Sequence, residues 1–367
     1  SKWKPENLLD LGLKIKCCTF YNFWIMIAFL NIFSTLYDEL IGFLGIGPLV
    51  EMYKSGDYSS LHTLQGIESA IGPVIPFLLI IEIIRAAFYK RFKVIHYKVQ
   101  FLTYVFNSFI GRFISIAAVA FCIGLFEKYS IIKTTFTWYW LIYGYVAWEL
   151  SHFVYHYLAH KVRLLWCLHS THHAPQTMNL SVTYAHFFLE APYADVVRTS
   201  ICILLGVNPA LLFFIMFIDG TWGAFIHVGE NILKDGRLGF LNRVILTPSH
   251  HRVHHARNPY YMDTNFCNLL NLWDKVFGTY VDEKKEIPIE YGITRKMNPN
   301  NFPDVYFGEF VALFRDMKNA PGLKNKLMYL VMPPGWSHTG EHKTANVVRK
   351  QFLENDLSEQ ITVASKA

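Results

Sequence analysis

Residues 152–173 read HFVYHYLAHKVRLLWCLHSTHH, and residues 249–255 read SHHRVHH. Twelve of the sixteen histidines lie between His152 and His255. His152, His156 and His160 are four apart, so on a helix they point from one face. His169, His172 and His173 form an H-x-x-H-H box, and His251, His254 and His255 form another. Positions i, i+3 and i+4 share a helical face, so each box offers three imidazoles to one place. Neutral imidazole is a ligand for zinc, iron, copper and nickel. Eight or more imidazoles are too many for one ion of about four to six ligands, and they suit two metals. A lone histidine is read differently: His62, His96, His338 and His342 are expected to be structural. His152, His186 and His250 stand between these classes, as further candidate ligands.

The rest of the chain says where such a site would sit. More than half of the 367 residues are hydrophobic (52%) and only 17% are charged, and apolar runs recur before and between the boxes. Runs of about eighteen or more apolar residues reach the spanning threshold. The expected spans are 17–37, 66–88 (kinked at Pro73 and Pro76), 100–126 and 134–160, followed by a shorter pair at 192–205 and 209–226. The piece around 41–50, broken by glycines and Pro48, is expected to be interfacial or re-entrant. Thr134, Thr135 or Thr137 would cap the fourth span. The cluster Arg85, Lys90, Arg91, Lys93 and Lys98 marks the cytoplasmic side, and Lys161 and Arg163 place the first His group there too.

The formal net charge of +6 falls at the ends of apolar runs rather than along a stripe, which argues against nucleic acid as a partner. Six cysteines (Cys17, Cys18, Cys122, Cys167, Cys202, Cys267) have no framework spacing and are read as reduced core residues. No cleavable signal is expected.

The fold class expected is therefore all-α: a multi-pass integral membrane helical bundle with a cytoplasmic His-rich di-metal cap. The expected divisions are N-terminal membrane helices over 1–130, a di-iron domain over 131–285, an amphipathic extension over 286–337 and a flexible tail over 338–367. In the extension, Phe307, Phe310, Val311, Phe314 and Met317 form one stripe, read as core packing with a bilayer-surface position as the rival.

Chemistry narrows the metal by elimination. Soluble di-iron bundles use two Glu-x-x-His motifs, and this chain has only Glu149-x-x-His152. Zinc would leave most of these histidines idle, and copper stays open although no Met- or Cys-rich partner set accompanies the boxes. Iron with dioxygen fits best, acting on an unactivated C–H bond of a bilayer-dissolved substrate. A sterol, fatty acyl or carotenoid desaturase or hydroxylase sharing the site, and a non-redox metal-binding membrane protein, are the alternatives. Imidazole ligands need acceptors on their other ring nitrogen; Asp263, Glu230, Glu190 and Asp274 are the carboxylates at hand.

The phrases LWCLHSTHHAPQTMNLS (165–181), LTPSHHRVHHARNPYYMDTNF (246–266) and LWDKVFGTY (272–280) resemble the fatty acid hydroxylase/sterol desaturase superfamily, and within it the alkylglycerol monooxygenase branch. The likeness runs on through YGITRKMNPNNF and PPGW at 333–336. It implies an iron-dependent lipid monooxygenase, with two Fe ions and O2 as co-substrate. It also implies a membrane lipid substrate and an electron donor: tetrahydrobiopterin in that branch, cytochrome b5 or a ferredoxin-like protein in others. The site it implies is His156 and His160, then His169, His172 and His173, then the lone His227, then His251, His254 and His255. It leaves His152 as an upstream extra, and His186 resembles a histidine that precedes a Glu in another branch. One departure is Gly223, where members often carry Gln or His. Either the site is one ligand short there, or His152, His186 or Asn231 (through water) compensates. The compartment implied is the endoplasmic reticulum or a bacterial inner membrane, with the boxes facing the cytoplasm.

Overall fold

The computed structural model describes residue 31 and residues 33–59, 63–108 and 111–364. The chain divides into two compact units, 1–77 and 78–367. The described part of the first unit is helical over 33–44. Gly45 (φ +66°) then turns the chain into the helices Gly47–Ser55 and Leu64–Ile71. Most of the expected first span, 17–37, lies outside the described residues.

The second unit is helical, with only two isolated β-bridges, Ile245 with Leu270 and Ala256 with Tyr291, among the described residues. Its helices are α1 (Val74–Phe88, which begins in the first unit), α2 (Ile95–Ser108), α3 (Gly111–Phe126), α4 (Trp138–Lys161), α5 (Arg163–His173), α6 (Glu190–Leu204), α7 (Pro209–Phe225), α8 (Pro248–His254), α9 (Leu272–Phe277), α10 (Phe302–Asn319), α11 (Gly322–Val331) and α12 (Ala345–Ala364). The expectation of an all-helical chain holds for these residues.

Several details differ from the sequence reading. The span expected over 100–126 is two helices, α2 and α3, on either side of residues 109–110, which are outside the described set. At 16 residues α3 is about 24 Å long, short of a hydrocarbon core of about 30 Å. Among the described residues one stretch, Ser69–Phe88, is long and apolar enough to cross a bilayer. Residues 338–367, expected to be an unpatterned tail, include α12. It is tied back where Lys161 Nζ donates to Asn346 Oδ1 (2.9 Å) and Phe352 packs on Tyr260.

Local sequence explains why the central helices start and stop where they do. α4 begins after Thr137, which is extended, but the Thr137 hydroxyl makes no cap bond. Thr134 works elsewhere, donating to Gly206 O (2.9 Å) and accepting from Asn208 N (2.8 Å). α4 ends at Val162, whose extended backbone is both the end of α4 and the start of α5. That single β-branched residue turns the chain, and the two His-bearing helices pack on one another. α7 starts with Asn208 accepting from Ala210 N (3.0 Å) and with Pro209 in the first turn. Gly206 makes the turn from α6 to α7 at φ +85°. A Cβ there would lie 2.0 Å from Ile132 O, so no other residue fits. Thr247 and His250 form a capping box at the start of α8.

Apolar side chains of α4, α6 and α7 form the largest core cluster: Ala147, Trp148, Cys202, Ile203, Leu211, Leu212 and Ile215 are buried together. The four described cysteines outside the first unit are free and buried, as expected. A second cluster joins Cys167 of α5 to Leu313, Ala320 and Tyr329 of the α10–α11 hairpin.

Candidate metal centre

The helix turn at Val162 and the short helix α8 bring nine histidines together as two sets. His156, His160, His169, His173 and His254 form one; His172, His227, His251 and His255 form the other. Every member is buried, and within each set the nitrogens lie within 4.8 Å of one another. The sets adjoin, with the His173 ring stacked on His255 (centroids 4.3 Å, 20°). α4 supplies two nitrogens, α5 three, and α8 with its C-cap three. His227 follows the end of α7.

Five of the nine rings are oriented through their Nδ1. His156 Nδ1–H donates to Phe266 O (2.8 Å), His254 Nδ1–H to Thr264 O (2.8 Å) and His227 Nδ1–H to Gly223 O (2.6 Å). His169 Nδ1–H donates to Glu190 Oε1 (2.6 Å), and His160 Nδ1–H faces Asp263 Oδ1 (3.3 Å). A carbonyl oxygen can only accept, so these rings carry their proton on Nδ1 and present a bare lone pair at Nε2.

The consequence decides whether metal fits. His156 Nε2 and His169 Nε2 are 3.1 Å apart, lone pair against lone pair, and His173 Nε2 is 3.0 Å from His169 Nε2. His160 Nε2 and His254 Nε2 are buried with no hydrogen-bond partner. In the second set His227 Nε2 lies 3.1 Å from His172 Nε2 and 2.8 Å from His251 Nε2, which is 3.0 Å from His255 Nε2. Two ligand atoms about 90° apart on an ion with bonds of about 2.1 Å are separated by about 3.0 Å. Two buried lone pairs at such a distance, as at His156 and His169, repel unless a cation lies between them. Both donor sets fit a borderline transition metal.

Burial, reinforced by the neighbouring rings, holds His172, His173, His251, His254 and His255 well below the ordinary imidazole range. Burial likewise brings His227 down to about 3. Uncharged rings are the ligand form. Burial would raise Glu190, but His186 and His169 outweigh it and hold the carboxyl at about 2. Asp263 is also held low: burial opposes ionisation, and His160 and Lys161 outweigh it.

The remaining candidates separate. His152 is outside both sets, its Nδ1 3.6 Å from Asp219 Oδ2. His250 points away from them: its Nδ1 accepts from Thr247 N (3.1 Å), and its Nε2 lies 2.8 Å from Tyr280 Oη and 3.0 Å from Asp282 Oδ1. The position is taken by the capping box, a requirement of α8 and not of a metal. His186 is also outside, stacked on His172 (4.3 Å, 13°) with its Nδ1 2.9 Å from Glu190 Oε2. Glu230 is exposed and bonds to no histidine among the described residues, unlike Glu190 and Asp263. Gly223 lies one turn before His227, in the four-His set. A Cβ there would approach Asn268 Oδ1 at 3.0 Å. Neither His152, His186 nor Asn231 joins that set, which has one histidine fewer than its neighbour.

Four buried polar side chains that pin the loops around the site were not legible as pins in the sequence. Asp274 accepts from Phe266 N (2.7 Å) and Cys267 N (2.8 Å), fixing the loop whose carbonyls orient His156 and His254. Glu149 accepts from the next three amides, Asn268, Leu269 and Leu270 (3.1, 2.7 and 2.9 Å). Glu82 accepts from Leu180 N and Gly229 N (both 2.7 Å). Arg252 donates to Val228, Leu233 and Lys234 carbonyls. The loop itself needs Asp263 and Asn265 at φ +56°, a conformation that Asn and Asp tolerate best. The one available signal was the pair of such residues in MDTN.

Residues 140–279, the stretch carrying all nine histidines, match the fatty acid hydroxylase family model. Over this stretch the chain is similar to the fatty acid hydroxylase family. The chain is 30% identical over 222 residues to the alkylglycerol monooxygenase of Xenopus tropicalis, covering 59% of this chain and 47% of that protein. It is 28% identical over 216 residues to that of Homo sapiens, covering 58% and 46%. An ornithine lipid hydroxylase of Rhizobium tropici is 27% identical over 157 residues, covering 43% and 46%. The chain thus spans a little under half the length of these relatives. No solved structure matches.

Proposed function

We propose that the two histidine sets hold two iron ions and that the chain is a membrane monooxygenase, using O2 to hydroxylate a C–H bond of a lipid. The observation that carries this reading is the convergence of nine buried imidazoles into two adjoining sets in a stretch that matches the fatty acid hydroxylase family. Bound iron would supply the activation of dioxygen, which no side chain here can provide. The balance is R–H + O2 + 2e⁻ + 2H⁺ giving R–OH and water, so an electron donor is required: tetrahydrobiopterin, cytochrome b5 or a ferredoxin-like protein. His156, His160, His169, His173 and His254 would ligate one ion, and His172, His227, His251 and His255 the other. Glu190, Asp263 and the carbonyls of Thr264 and Phe266 would keep the rings turned inward. Burial of the whole set excludes bulk water from the reacting bond.

The substrate proposed first is an ether lipid of the alkylglycerol type. Hydroxylation at the carbon next to an ether oxygen makes a hemiacetal, which falls apart into an aldehyde and an alcohol. The likeness to an ornithine lipid hydroxylase favours a second substrate reading, hydroxylation of another polar lipid without cleavage. In either case the protein would be a multi-pass membrane enzyme, in the endoplasmic reticulum or a bacterial inner membrane, with the histidines facing the cytoplasm. The test is iron per chain in protein from iron-supplemented cells, read with oxygen uptake on added alkylglycerol. Two irons with ether-dependent uptake and aldehyde formation support the reading. Zinc, or no metal in protein that cannot be loaded with iron, overturns it.

A further inference from the structure

We propose that the hairpin of α10 and α11 lies on the bilayer and binds the anionic headgroups of the leaflet on that side. The hairpin has two unlike faces. Inward, Leu313, Ala320 and Tyr329 are buried against Cys167, with Phe310 and Met317 packed beside them. Outward, Phe307, Val311 and Phe314 are 39%, 60% and 60% exposed, and Leu323, Leu327 and Val331 are 71%, 51% and 57% exposed. Their spacings, i, i+4, i+7 on α10 and i, i+4, i+8 on α11, put each trio on one helical face. Six large apolar side chains on one hairpin make a patch, not the scattered exposure of an ordinary surface.

The charges say what covers it. Arg315, Lys318 and Lys324 are exposed and Lys326 is half-buried, and no ion pair holds any of them among the described residues. The acids of the hairpin are already engaged: Asp304 and Glu309 with Arg295 (2.7 and 2.8 Å), and Asp316 with Arg163 (2.6 Å). Lys318 continues the stripe of Phe307, Val311 and Phe314, while Lys324 and Lys326 flank Leu323 and Leu327. Lysine stems laid along apolar surface with their heads at phosphate are the chemistry of an interfacial helix. Two such faces, each with four unneutralised cations, would repel, so a second copy is the poorer occupant. The patch is also continuous with other apolar surface. Phe302 and Tyr306 of α10 pack on Phe106 of α2 (5.8 and 5.3 Å), and Phe101 and Val105 of α2 are exposed.

The docked face reaches towards the histidines. Phe187 packs on Tyr306, Phe310 and Phe307 (4.8, 5.0 and 6.0 Å), and the Tyr306 hydroxyl both accepts from Phe188 N (2.8 Å) and donates to Asn107 Oδ1 (2.6 Å). The hairpin thus buttresses the turn that carries His186, and it would hold that turn at the level of the lipid headgroups. The inference concerns where the hairpin lies and stands apart from the oxidation chemistry.

The test uses the full chain in nanodiscs, with an environment-sensitive fluorophore at Val311→Cys or Leu327→Cys and, as control, at Lys350→Cys on α12; labelling of the parent chain is subtracted. We expect quenching of the first two labels, and not of the third, by lipids carrying a quencher near the headgroup. That quenching falls at least about twofold when phosphatidylglycerol is replaced by phosphatidylcholine, or in Lys318→Glu/Lys324→Glu at fixed lipid composition. The far-ultraviolet circular dichroism of that double variant stays unchanged, which shows that the fold is kept. Free access of aqueous iodide to both labels would place the hairpin in water and overturn the proposal. Protection from iodide without lipid quenching would mean a protein cover, and overturns it too. Quenching indifferent to anionic lipid would overturn the headgroup assignment.

Discussion

Replacing Glu190 by Gln should weaken one metal site and largely spare the other. The buried carboxylate accepts from His169 Nδ1–H (2.6 Å) and Tyr155 Oη–H (3.3 Å) on Oε1, and from His186 Nδ1–H (2.9 Å) on Oε2. Glutamine has nearly the same shape but only one acceptor oxygen. Whichever way it sits, its amide group meets an imidazole N–H, donor against donor. One buried donor is left unpaired, at a cost of about 1–3 kcal/mol. If His169 loses its acceptor, its proton can move to Nε2 and the lone pair leaves the five-His set. Outer partners of this kind are worth roughly 10–100-fold in metal affinity, which at about 1.4 kcal/mol per decade is about 1.4–2.8 kcal/mol and agrees with the hydrogen-bond count. The four-His set makes no hydrogen bond to Glu190 among the described residues and meets it indirectly, through His186 stacked on His172 and the His169 ring 5.4 Å from His172, so its affinity should change by about threefold at most. The assay is anaerobic titration of the apoprotein with ferrous ion against a chromogenic chelator, resolving two affinities, with circular dichroism as the fold control. Equal loss at both sites, or less than about threefold loss at the weaker one, would refute the role assigned to Glu190.

Three further outcomes follow from the same geometry. His172→Ala and His255→Ala each remove a nitrogen from the four-His set and should abolish turnover, while the protein stays folded in membranes; turnover retained in both would sink the ligand assignment. His250→Ala should leave metal content unchanged but lower stability by about 0.5–2 kcal/mol through loss of the α8 cap; a drop in bound metal at full stability would show instead that the ring reaches the site. For the apoprotein, burial puts the folded-state values of His172, His173, His227, His251, His254 and His255 below that of the unfolded chain. The unfolded state therefore takes up protons first as pH falls through about 6.5, and stability should drop below that pH. Melting temperatures of apoprotein at pH 7.5 and 5.5 measure this, and equal values would contradict the burial.

The family resemblance singled out His227; the spacing of the sequence itself determined the helical character and the other eight histidines that the structure gathers into two sets. Periodicity is enough for this, because H-x-x-H-H puts three rings on one side of any helix regardless of what surrounds it. The acceptors Glu190 and Asp263 were also within reach, since imidazole ligands need them. Tertiary structure alone decided how the nine divide into five and four. That partition depends on the turn at Val162 and on where His227 and α8 dock, and neither is local. It also decided that His250 caps a helix and that Glu230 faces solvent. It made Glu82, Glu149, Asp274 and Arg252 the pins of the cap loops, because a buried charge is placed by backbone amides and carbonyls distant in the chain. The stripe on α10 shows the limit most clearly. Its pattern was visible, but only the packed hairpin turned Leu313, with Phe310 and Met317, inward and left Phe307, Val311 and Phe314 out, since which face of an amphipathic helix is covered is settled by its neighbours.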